Sequence, residues 1–323
     1  MGDWSMRSIF GPAMVALAAL IQTAAVAAKG IEIDSREYKL MLEPEHFSGA
    51  APEDAVSRFV RDQLEPALRR SFGDEAADEL AEKGLEVDER RRVRFWDTDT
   101  CLLTETGFAL RERVDLEEDG RPASEPEITL KFRSADLFLA ANTELEARGG
   151  AKDVESKLEE DVGALAVRAA SGDAIVAVPR SSRSQFSRST TQTIDRDAAP
   201  RALMAVDDLY PKFDNDLRLL AGASDLSAAL TPGLDYHELV YESAMIDLEE
   251  DTKTRFALTI WYEGAANRDR PALAEISFSY DTDNGEVSAE VAKRSREMLL
   301  LMQDLDWANP ALPTKTALAR CPG

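Results

Sequence analysis

Residues 108–134 read FALRERVDLEEDGRPASEPEITLKFRS and predict a β-hairpin. Apolar and charged side chains alternate over Phe108–Leu116 and again over Glu127–Ser134, which is the pattern of strands that bury one face. The acidic turn Glu117–Gly120 ends in Asp-Gly, a dipeptide typical of tight hairpin connections. Each strand carries two basic residues at alternate positions, so one face of the hairpin is strongly positive.

Strand-like stretches recur along the rest of the chain. They are Ile31–Leu42, Arg91–Asp97, Glu155–Val162, Gln185–Ile194, Leu239–Leu248, Arg255–Glu263 and Leu273–Tyr280. Helical periodicity is present in Ala51–Phe72, in Ala202–Leu220 with an interruption at Tyr210-Pro211, and in Val287–Leu305. No repeat or low-complexity linker divides the chain. The sequence therefore predicts a single α+β domain over residues 29–323, built on an antiparallel sheet or barrel.

Polar and charged residues share one face of most predicted strands. The sets are Ser35, Glu37 and Lys39; Arg111 and Arg113; Thr129, Lys131 and Arg133; Lys157, Glu159 and Asp161; Lys253 and Arg255; and Glu275 with Ser277. In an open sheet this face would simply meet water. In a closed barrel the same face lines the interior, where cations require anionic partners. Such an interior suits a phosphate-rich ligand that carries divalent cations.

The composition excludes several classes of function. The chain has 323 residues with 61 acidic and 38 basic side chains, which give a net charge of −23. Such an acidic protein is not expected to bind nucleic acid non-specifically, because phosphate backbones attract cationic surfaces. The only histidines are His46 and His237, so a site built on several histidines is excluded. The sequence contains neither a P-loop nor a dinucleotide-binding glycine motif.

The first 28 residues have the composition of a secretory signal peptide. Arg7 provides a positive start, and an apolar run over positions 13–28 ends in small residues suited to cleavage near Ala27 or Ala28. A membrane anchor is the alternative, but the run is short for a spanning helix and is interrupted by Gln22. We expect an exported protein, periplasmic or extracellular, that is not held at the membrane after cleavage.

Export changes the expectation for Cys101 and Cys321, the only cysteines of the chain. An oxidising compartment favours a disulfide between them, which would tie the end of the chain to an early loop. In the chain-entropy model, closing so long a loop stabilises a protein by roughly 5 kcal/mol. Two separate thiols are the alternative. The spacing of the pair matches no metal site.

Several short motifs resemble those of the CYTH superfamily, which includes triphosphate tunnel metalloenzymes, class IV adenylate cyclases and thiamine triphosphatases. In chain order they are Ser35-Arg36-Glu37-Tyr38-Lys39; Phe95-Trp96-Asp97-Thr98; Leu102-Leu103; Ala109-Leu110-Arg111-Glu112-Arg113; Thr129-Leu130-Lys131; Lys157-Leu158-Glu159-Glu160-Asp161; Ala274-Glu275-Ile276-Ser277; and Lys315-Thr316. They span roughly residues 31–316, and the central block is the most specific part.

The resemblance implies a closed, antiparallel, eight-stranded β tunnel with flanking helices that binds triphosphate, polyphosphate or a phosphorylated small molecule. It implies that the phosphate-binding residues are Lys39, Arg111, Arg113, Lys131 and Arg133. It also implies that Mg²⁺ or Mn²⁺ is held by Glu37, Glu159, Asp161 and Glu275, with Glu37 and Glu275 as the catalytic pair. Further basic candidates, which spacing does not separate, are Arg180, Arg183, Arg188 and Arg255.

Two departures from the family pattern concern the metal ligands. Ser35 stands where the opening motif has a first glutamate, and Ser277 stands where the late acidic strand often has a second one. Three functions therefore stay open: a metal-dependent triphosphatase or polyphosphatase, a non-catalytic module that binds phosphorylated ligands, and a structural envelope protein. A cyclase is less favoured, because no motif selects adenine.

Overall fold

Nine strands pair edge to edge into a closed barrel. The computed structural model describes residues 30–49, 52–169, 172, 174–201, 203–213, 228–249, 252–264, 270–318 and 321. The barrel strands are β1 (Ser35–Leu42), β2 (Glu86–Thr98), β3 (Phe108–Asp115), β4 (Glu127–Ser134), β5 (Lys152–Arg168), β6 (Ile175–Thr193), β7 (Leu230–Glu242), β10 (Phe256–Glu263) and β11 (Pro271–Asp281). Two short strands, β8 (Ile246–Glu249) and β9 (Thr252–Thr254), form a separate ribbon.

The strand order around the barrel is β1-β11-β10-β7-β2-β3-β4-β6-β5, and β5 returns to β1. Every pairing among these described strands is antiparallel except β1–β5, in which Ser35 lies opposite Glu159. The closed barrel confirms the predicted architecture, whereas the predicted count of eight strands, all antiparallel, is wrong in detail. An odd number of strands in a closed ring cannot alternate in direction throughout, so nine strands require one parallel pair.

Helices pack around the barrel, most of them against its outer wall. They are α1 (Pro52–Phe59), continued through a π-helical turn (Val60–Leu64) into α2 (Glu65–Phe72); α3 (Asp74–Lys83); α4 (Leu102–Glu105); α5 (Leu137–Ala141); α6 (Ala289–Gln303); and α7 (Lys315–Leu318). Apolar residues of α1–α3 and α6 pack in one cluster with the outer face of β1, β10 and β11. Within the described residues, no helix is long and apolar enough to cross a membrane.

The hairpin at the centre of the sequence forms as predicted. Glu127–Ser134 coincides with β4, and Phe108–Leu116 exceeds β3 by one residue. In the connecting turn, the amide of Gly120 donates to the carbonyl of Glu117 at 2.9 Å, and Gly120 has a φ of +82°. Glycine adopts this left-handed conformation without the strain that a side chain would cause, which explains the Asp-Gly signal.

Several predicted elements are wrong in extent. The strands predicted over Glu155–Val162 and Gln185–Ile194 are longer in the structure, as β5 and β6, and two other predicted elements are broken. The strand predicted over Leu239–Leu248 is split into β7 and β8, because Ser243 both donates to and accepts from the backbone of Phe256, each at 2.9 Å, and the strand ends there. The helix predicted over Ala202–Leu220 is not formed over residues 203–212, which contain only the short 3₁₀ turn Val206–Asp208, whereas Phe213 is helical.

Tyr210 shows why residues 203–212 do not form a continuous helix. Its buried hydroxyl donates toward the carbonyls of Ile128 and Thr190, each at 2.9 Å, and accepts from the amide of Leu130 at 3.0 Å. These contacts hold the segment against β4 and β6. The rest of that prediction, like the predicted leader, lies outside the described residues.

The predicted disulfide between Cys101 and Cys321 is present, with the Cα atoms 5.3 Å apart. It ties what we call the C-terminal segment (residues 309–318 and Cys321) to the turn after β2. Leu312 and Leu318 of this segment pack against an apolar cluster on the inner face of the barrel. That cluster consists of Met41, Val93, Tyr236, Trp261 and Leu273. The C-terminal segment therefore covers one end of the barrel interior.

Candidate phosphate-binding tunnel

The inner face of the barrel is lined with charged side chains. Residues directly opposite each other on neighbouring strands point to the same side of a sheet, so the strand register identifies this face. Lys39 lies opposite Ser277, and Arg111 lies opposite Thr129. All the predicted phosphate and metal residues fall on the inner face: Glu37, Lys39, Arg111, Arg113, Lys131, Arg133, Glu159, Asp161 and Glu275.

Six of these side chains form a network that we call the β1–β5 cluster: Glu37, Lys39, Lys131, Arg133, Glu159 and Asp161. Lys39 Nζ lies 2.5 Å from Glu37 Oε2 and 2.7 Å from Asp161 Oδ1. Lys131 Nζ lies 2.8 Å from Glu159 Oε2, and Arg133 Nε lies 3.4 Å from Asp161 Oδ2. Each carboxylate of the cluster therefore has a basic partner.

Burial and charge shift the pKa values of this cluster in a consistent way. Burial alone would raise the pKa of Asp161, but Lys39, Lys131 and Arg133 outweigh it and hold that pKa well below its ordinary value. Burial would lower the pKa of Lys39, but Asp161 and Glu37 outweigh it and raise the pKa. For Lys131 burial prevails, and the pKa is lowered. The cluster thus favours the ionised form of Asp161 and holds the charge of Lys131 at a cost.

A second network surrounds Glu238, whose side chain is 1% exposed. Trp261 Nε1 donates to Glu238 Oε1 at 2.9 Å, and Arg91 Nη1 and Arg113 Nη2 lie 3.5 Å and 3.6 Å from its two oxygens. Burial would raise the pKa of Glu238, but Arg113, Lys315 and Arg91 lower it to about 2. The positive charges of three basic side chains thus stabilise a buried carboxylate on the inner face of the barrel.

Arg111 is a buried cation that makes no direct ion pair with a described carboxylate. No described carboxylate lies within ion-pair distance of its guanidinium, whose Nη2 is 3.4 Å from Thr129 Oγ1. Its buried Nε, like that of Arg113, lacks a hydrogen-bond partner among the described residues. Burial and the charge of Arg113 lower the pKa of Arg111 to about 9, although the charge of Glu238 opposes the shift in part. Two buried N–H donors and one positive charge that is only partly compensated therefore face the tunnel.

Glu275 forms its ion pair with a lysine that does not belong to any barrel strand. Lys315 Nζ, on α7 of the C-terminal segment, lies 2.7 Å from Glu275 Oε1, and the Glu275 side chain is 2% exposed. The adjacent Thr316 hydroxyl accepts a hydrogen bond from Arg133 Nη1. The Lys315-Thr316 motif thus reaches the tunnel interior. Glu37 and Glu275 both lie on the inner face, but each is paired with a different lysine, and their catalytic role stays a prediction.

Four further arginines were candidates for the tunnel, and the structure places them outside the ion-pair networks of the interior. Arg180 pairs with Asp304 at 3.3 Å on the surface, and Arg183, which lies opposite Gly163 in the inner-face register of β6, is exposed. Arg188 lies on the outer face of β6 and donates to the carbonyl of Ala141 at 3.1 Å. Lys253 and Arg255 were also predicted to share a charged face inside the barrel, and this prediction is wrong. The two residues bind carboxylates of the outer surface, Asp247 at 3.3 Å and Glu242 at 2.5 Å.

Arg91 and Glu238 are tunnel residues that the sequence reasoning missed. Arg91 lies in a run of three arginines, positions 90–92, so alternation alone does not show which one points inward. Glu238 precedes the predicted start of its strand, because Leu230–Gly233 lacks a clear alternating pattern. The alternation of Tyr236, Glu238 and Val240 was the available signal.

The carboxylates do not gather into a metal-ligand group. Among the described residues, no three histidine, cysteine, aspartate or glutamate side chains converge as such a group. Each of the four predicted metal carboxylates is ion-paired with a lysine or arginine of this chain. Ser35 and Ser277 supply hydroxyls where the family pattern has carboxylates. The donor set therefore fits a divalent cation poorly.

Comparisons with known proteins show only distant likenesses. No family model and no curated protein matches the chain. A Hippeastrum protein, described as an adenylyl cyclase with a dominant triphosphatase activity, is 12% identical over 89% of this chain and 95% of its own, with a TM-score of 0.42. A Bacillus halodurans protein, described as an adenylate cyclase, is 13% identical over 88% and 95%, with a TM-score of 0.37.

A Pyrococcus horikoshii structure is 9% identical over 85% of this chain and 93% of its own, with a TM-score of 0.30. Likenesses this distant carry no argument about activity, so the interpretation depends on the tunnel's own side chains. The closed barrel with its charged interior is the architecture that the resemblance to the CYTH superfamily implies.

Proposed function

We propose that the tunnel binds a triphosphate, a polyphosphate or another phosphorylated small molecule. The observation that carries the proposal is Arg111, whose buried guanidinium has no ion-pair partner among the described carboxylates and whose pKa stays lowered even though Glu238 opposes the shift. A buried, uncompensated charge is costly, and an anion that neutralises it gains affinity for the same reason. The tunnel is therefore poised to accept negative charge.

A phosphate group matches the geometry of these basic side chains better than a single carboxylate does. Guanidinium groups present a planar fork of N–H donors that binds two phosphate oxygens at once, and Lys131 adds a point charge on the neighbouring strand. Arg111, Arg113, Lys131 and Arg133 follow the inner faces of β3 and β4 in two adjacent rows. A chain of linked phosphates would present oxygens to both rows.

We propose binding without hydrolysis as the activity of this chain. A hydrolase of the implied kind needs carboxylates free to hold a metal, whereas here Glu37, Glu159, Asp161 and Glu275 each have an internal cation. In a phosphate-release assay on tripolyphosphate with Mg²⁺ or Mn²⁺, we expect no release above background. Protein-dependent release would favour the triphosphatase instead.

Titration calorimetry with tripolyphosphate tests the binding proposal. We expect the parent protein to bind, and Arg111→Ala and Lys131→Ala each to weaken binding by about 1.5–3 kcal/mol, or roughly 10- to 150-fold, the usual scale for a hydrogen bond to a charged group. Arg188→Ala is the matched control, because Arg188 lies on the outer face of the same wall. Equal affinity in all four proteins would contradict the proposal.

We also propose that the protein is exported, with cleavage near Ala27 or Ala28. The Arg7 start, the apolar run and the small residues that end it support this. The Cys101–Cys321 pairing is compatible with an oxidising compartment. Mass spectrometry of the protein recovered from its source should give a chain that begins at Ala28 or Lys29. A native chain that begins at Met1 or Gly2 would argue against export by this route.

A further inference from the structure

The position of Lys315 is fixed from both sides. Upstream, the amide of Asn309 donates to the carbonyl of Met41 at 2.9 Å. Downstream, Cys321 is bonded to Cys101. Between these anchors, Leu312 and Leu318 pack into the apolar cluster on the inner face of the barrel. The C-terminal segment thus inserts a lysine into the tunnel without using any barrel strand to do so.

Within the tunnel, Lys315 compensates carboxylates that are almost completely buried. Its Nζ lies 2.7 Å from Glu275 Oε1, and Glu275 and Glu238 are 2% and 1% exposed. Among the described residues, Lys315 is the only basic side chain within ion-pair distance of Glu275. Its charge also contributes to the low pKa of Glu238. Loss of this ammonium would leave Glu275 as a buried charge without a partner, which is strongly unfavourable.

We propose that Lys315 is a built-in cation that takes, at Glu275, the place that the family resemblance gives to a divalent metal. The tunnel then holds its phosphorylated ligand without Mg²⁺ or Mn²⁺. An ammonium supplies one positive charge and three donors, whereas Mg²⁺ demands several oxygen ligands in near-octahedral geometry. Ser277 contributes no charge to such a set. The identity of the ligand rests on the proposed function, but the assignment of Lys315 does not.

Metal titration of the full-length, oxidised protein tests this assignment in the absence of any phosphate. Mn²⁺ binding is measured by calorimetry and by the loss of the free Mn²⁺ electron paramagnetic resonance signal. We expect the parent protein to show no specific site. Lys315→Met should create one Mn²⁺ site per chain, because Glu275 loses its resident cation. The variant should bind Mn²⁺ at least tenfold more tightly than the parent does. Lys253→Met is the matched control, since Lys253 forms an exposed pair with Asp247 outside the tunnel.

The double variant Lys315→Met/Glu275→Gln separates a metal site from a loss of structure. It should fold as the parent does and bind no Mn²⁺, because the buried charge that attracts the ion is gone. If Lys315→Met alone fails to fold and the double variant folds, the pairing of Lys315 with Glu275 is supported by stability instead. A parent protein that binds Mn²⁺ in its tunnel as tightly as Lys315→Met does would overturn the proposal.

A second measurement concerns the phosphorylated ligand itself. We expect the parent to bind tripolyphosphate with the same affinity, within twofold, in EDTA and in Mg²⁺. The two affinities are compared at equal concentrations of free tripolyphosphate. A tenfold requirement for Mg²⁺ would overturn the proposal. An absence of tripolyphosphate binding in both buffers would contradict the proposed function, and the Mn²⁺ titration would still decide the role of Lys315.

Discussion

Replacement of Asp161 by Asn should destabilise the protein by about 3–5 kcal/mol, the usual cost of removing one partner from a buried ion-pair network. Asp161 is 6% exposed and lies between Lys39 at 2.7 Å and Arg133 at 3.4 Å. Ser187 also donates to its carboxylate at 2.8 Å. The asparagine keeps the shape but removes the carboxylate that these two cations share, so Lys39 keeps only Glu37 and Arg133 has no carboxylate within ion-pair distance among the described residues. Chemical denaturation at pH 7 measures the difference.

The matched control is Asp247→Asn, which breaks a lysine–carboxylate pair on the exposed β8–β9 ribbon. Exposed pairs contribute about 0–1 kcal/mol, so this variant should unfold close to the parent. Tripolyphosphate should raise the unfolding temperature of Asp161→Asn more than that of the parent, because phosphate replaces the missing negative charge. A stability loss below about 1 kcal/mol would show that Asp161 does not hold the cluster together.

The loss of stability in Asp161→Asn should also depend on pH, and it should become smaller in acid. The pKa of Asp161 in the folded protein lies well below its ordinary value of 3.8, so its carboxylate stabilises the fold fully above about pH 4. That contribution is lost as the pH falls further, because the unfolded chain then binds a proton at Asp161 while the folded protein does not. The difference in stability between parent and Asp161→Asn should therefore be constant near neutrality and shrink below about pH 4.

Alternation along the strands made much of the fold predictable. Arg111-Glu112-Arg113 illustrates both the strength and the limit of that signal. The pattern places Arg111 and Arg113 on one face and Glu112 on the other. In the structure Glu112 is buried in the outer wall, where it accepts from Trp96 Nε1 at 2.8 Å and pairs with Arg92 at 3.0 Å. Period-two alternation separates the two faces of a strand, but only the closure of the barrel decides which face is inside.

Contacts distant in sequence account for most of what could not be predicted. The Lys315-Thr316 motif was found, but its pairing with Glu275 depends on how the C-terminal segment is anchored. A ring of nine strands requires a parallel pair, which here is β1 with β5. The pattern within a single strand does not reveal how many strands the ring contains. Arg188 shows the same limit, because its outward position is set by the register between β4 and β6.

Replacement of Arg111 by Met should stabilise the unliganded protein while it weakens tripolyphosphate binding at least tenfold. Burial, Arg113 and Arg91 lower the pKa of Arg111 to about 9, so at pH 7 the folded protein holds this charge at a cost. Replacing buried charged groups by apolar residues of similar volume often stabilises a protein by about 1–4 kcal/mol. Thermal unfolding with and without tripolyphosphate measures both effects.

The pH dependence of this gain gives a further check. A basic group whose folded pKa is lowered destabilises the fold while it is charged, which is below pH 9, and ceases to do so as the pH rises through that value. The advantage of Arg111→Met should therefore be full at pH 7 and smaller at pH 10. A binding residue that costs stability when the tunnel is empty would explain why the sequence keeps an unpaired arginine there.

Arg92→Met is the control for Arg111→Met, because it removes a paired arginine from the adjacent strand. Arg92 lies 3.0 Å from Glu112, whose side chain is 5% exposed, so its loss should destabilise the fold by leaving that carboxylate with fewer partners. Tripolyphosphate binding should be unchanged, since Arg92 faces outward. If Arg111→Met were instead less stable than the parent at pH 7, Arg111 would have to be compensated within the unliganded tunnel. The surplus charge that supports phosphate binding would then be absent.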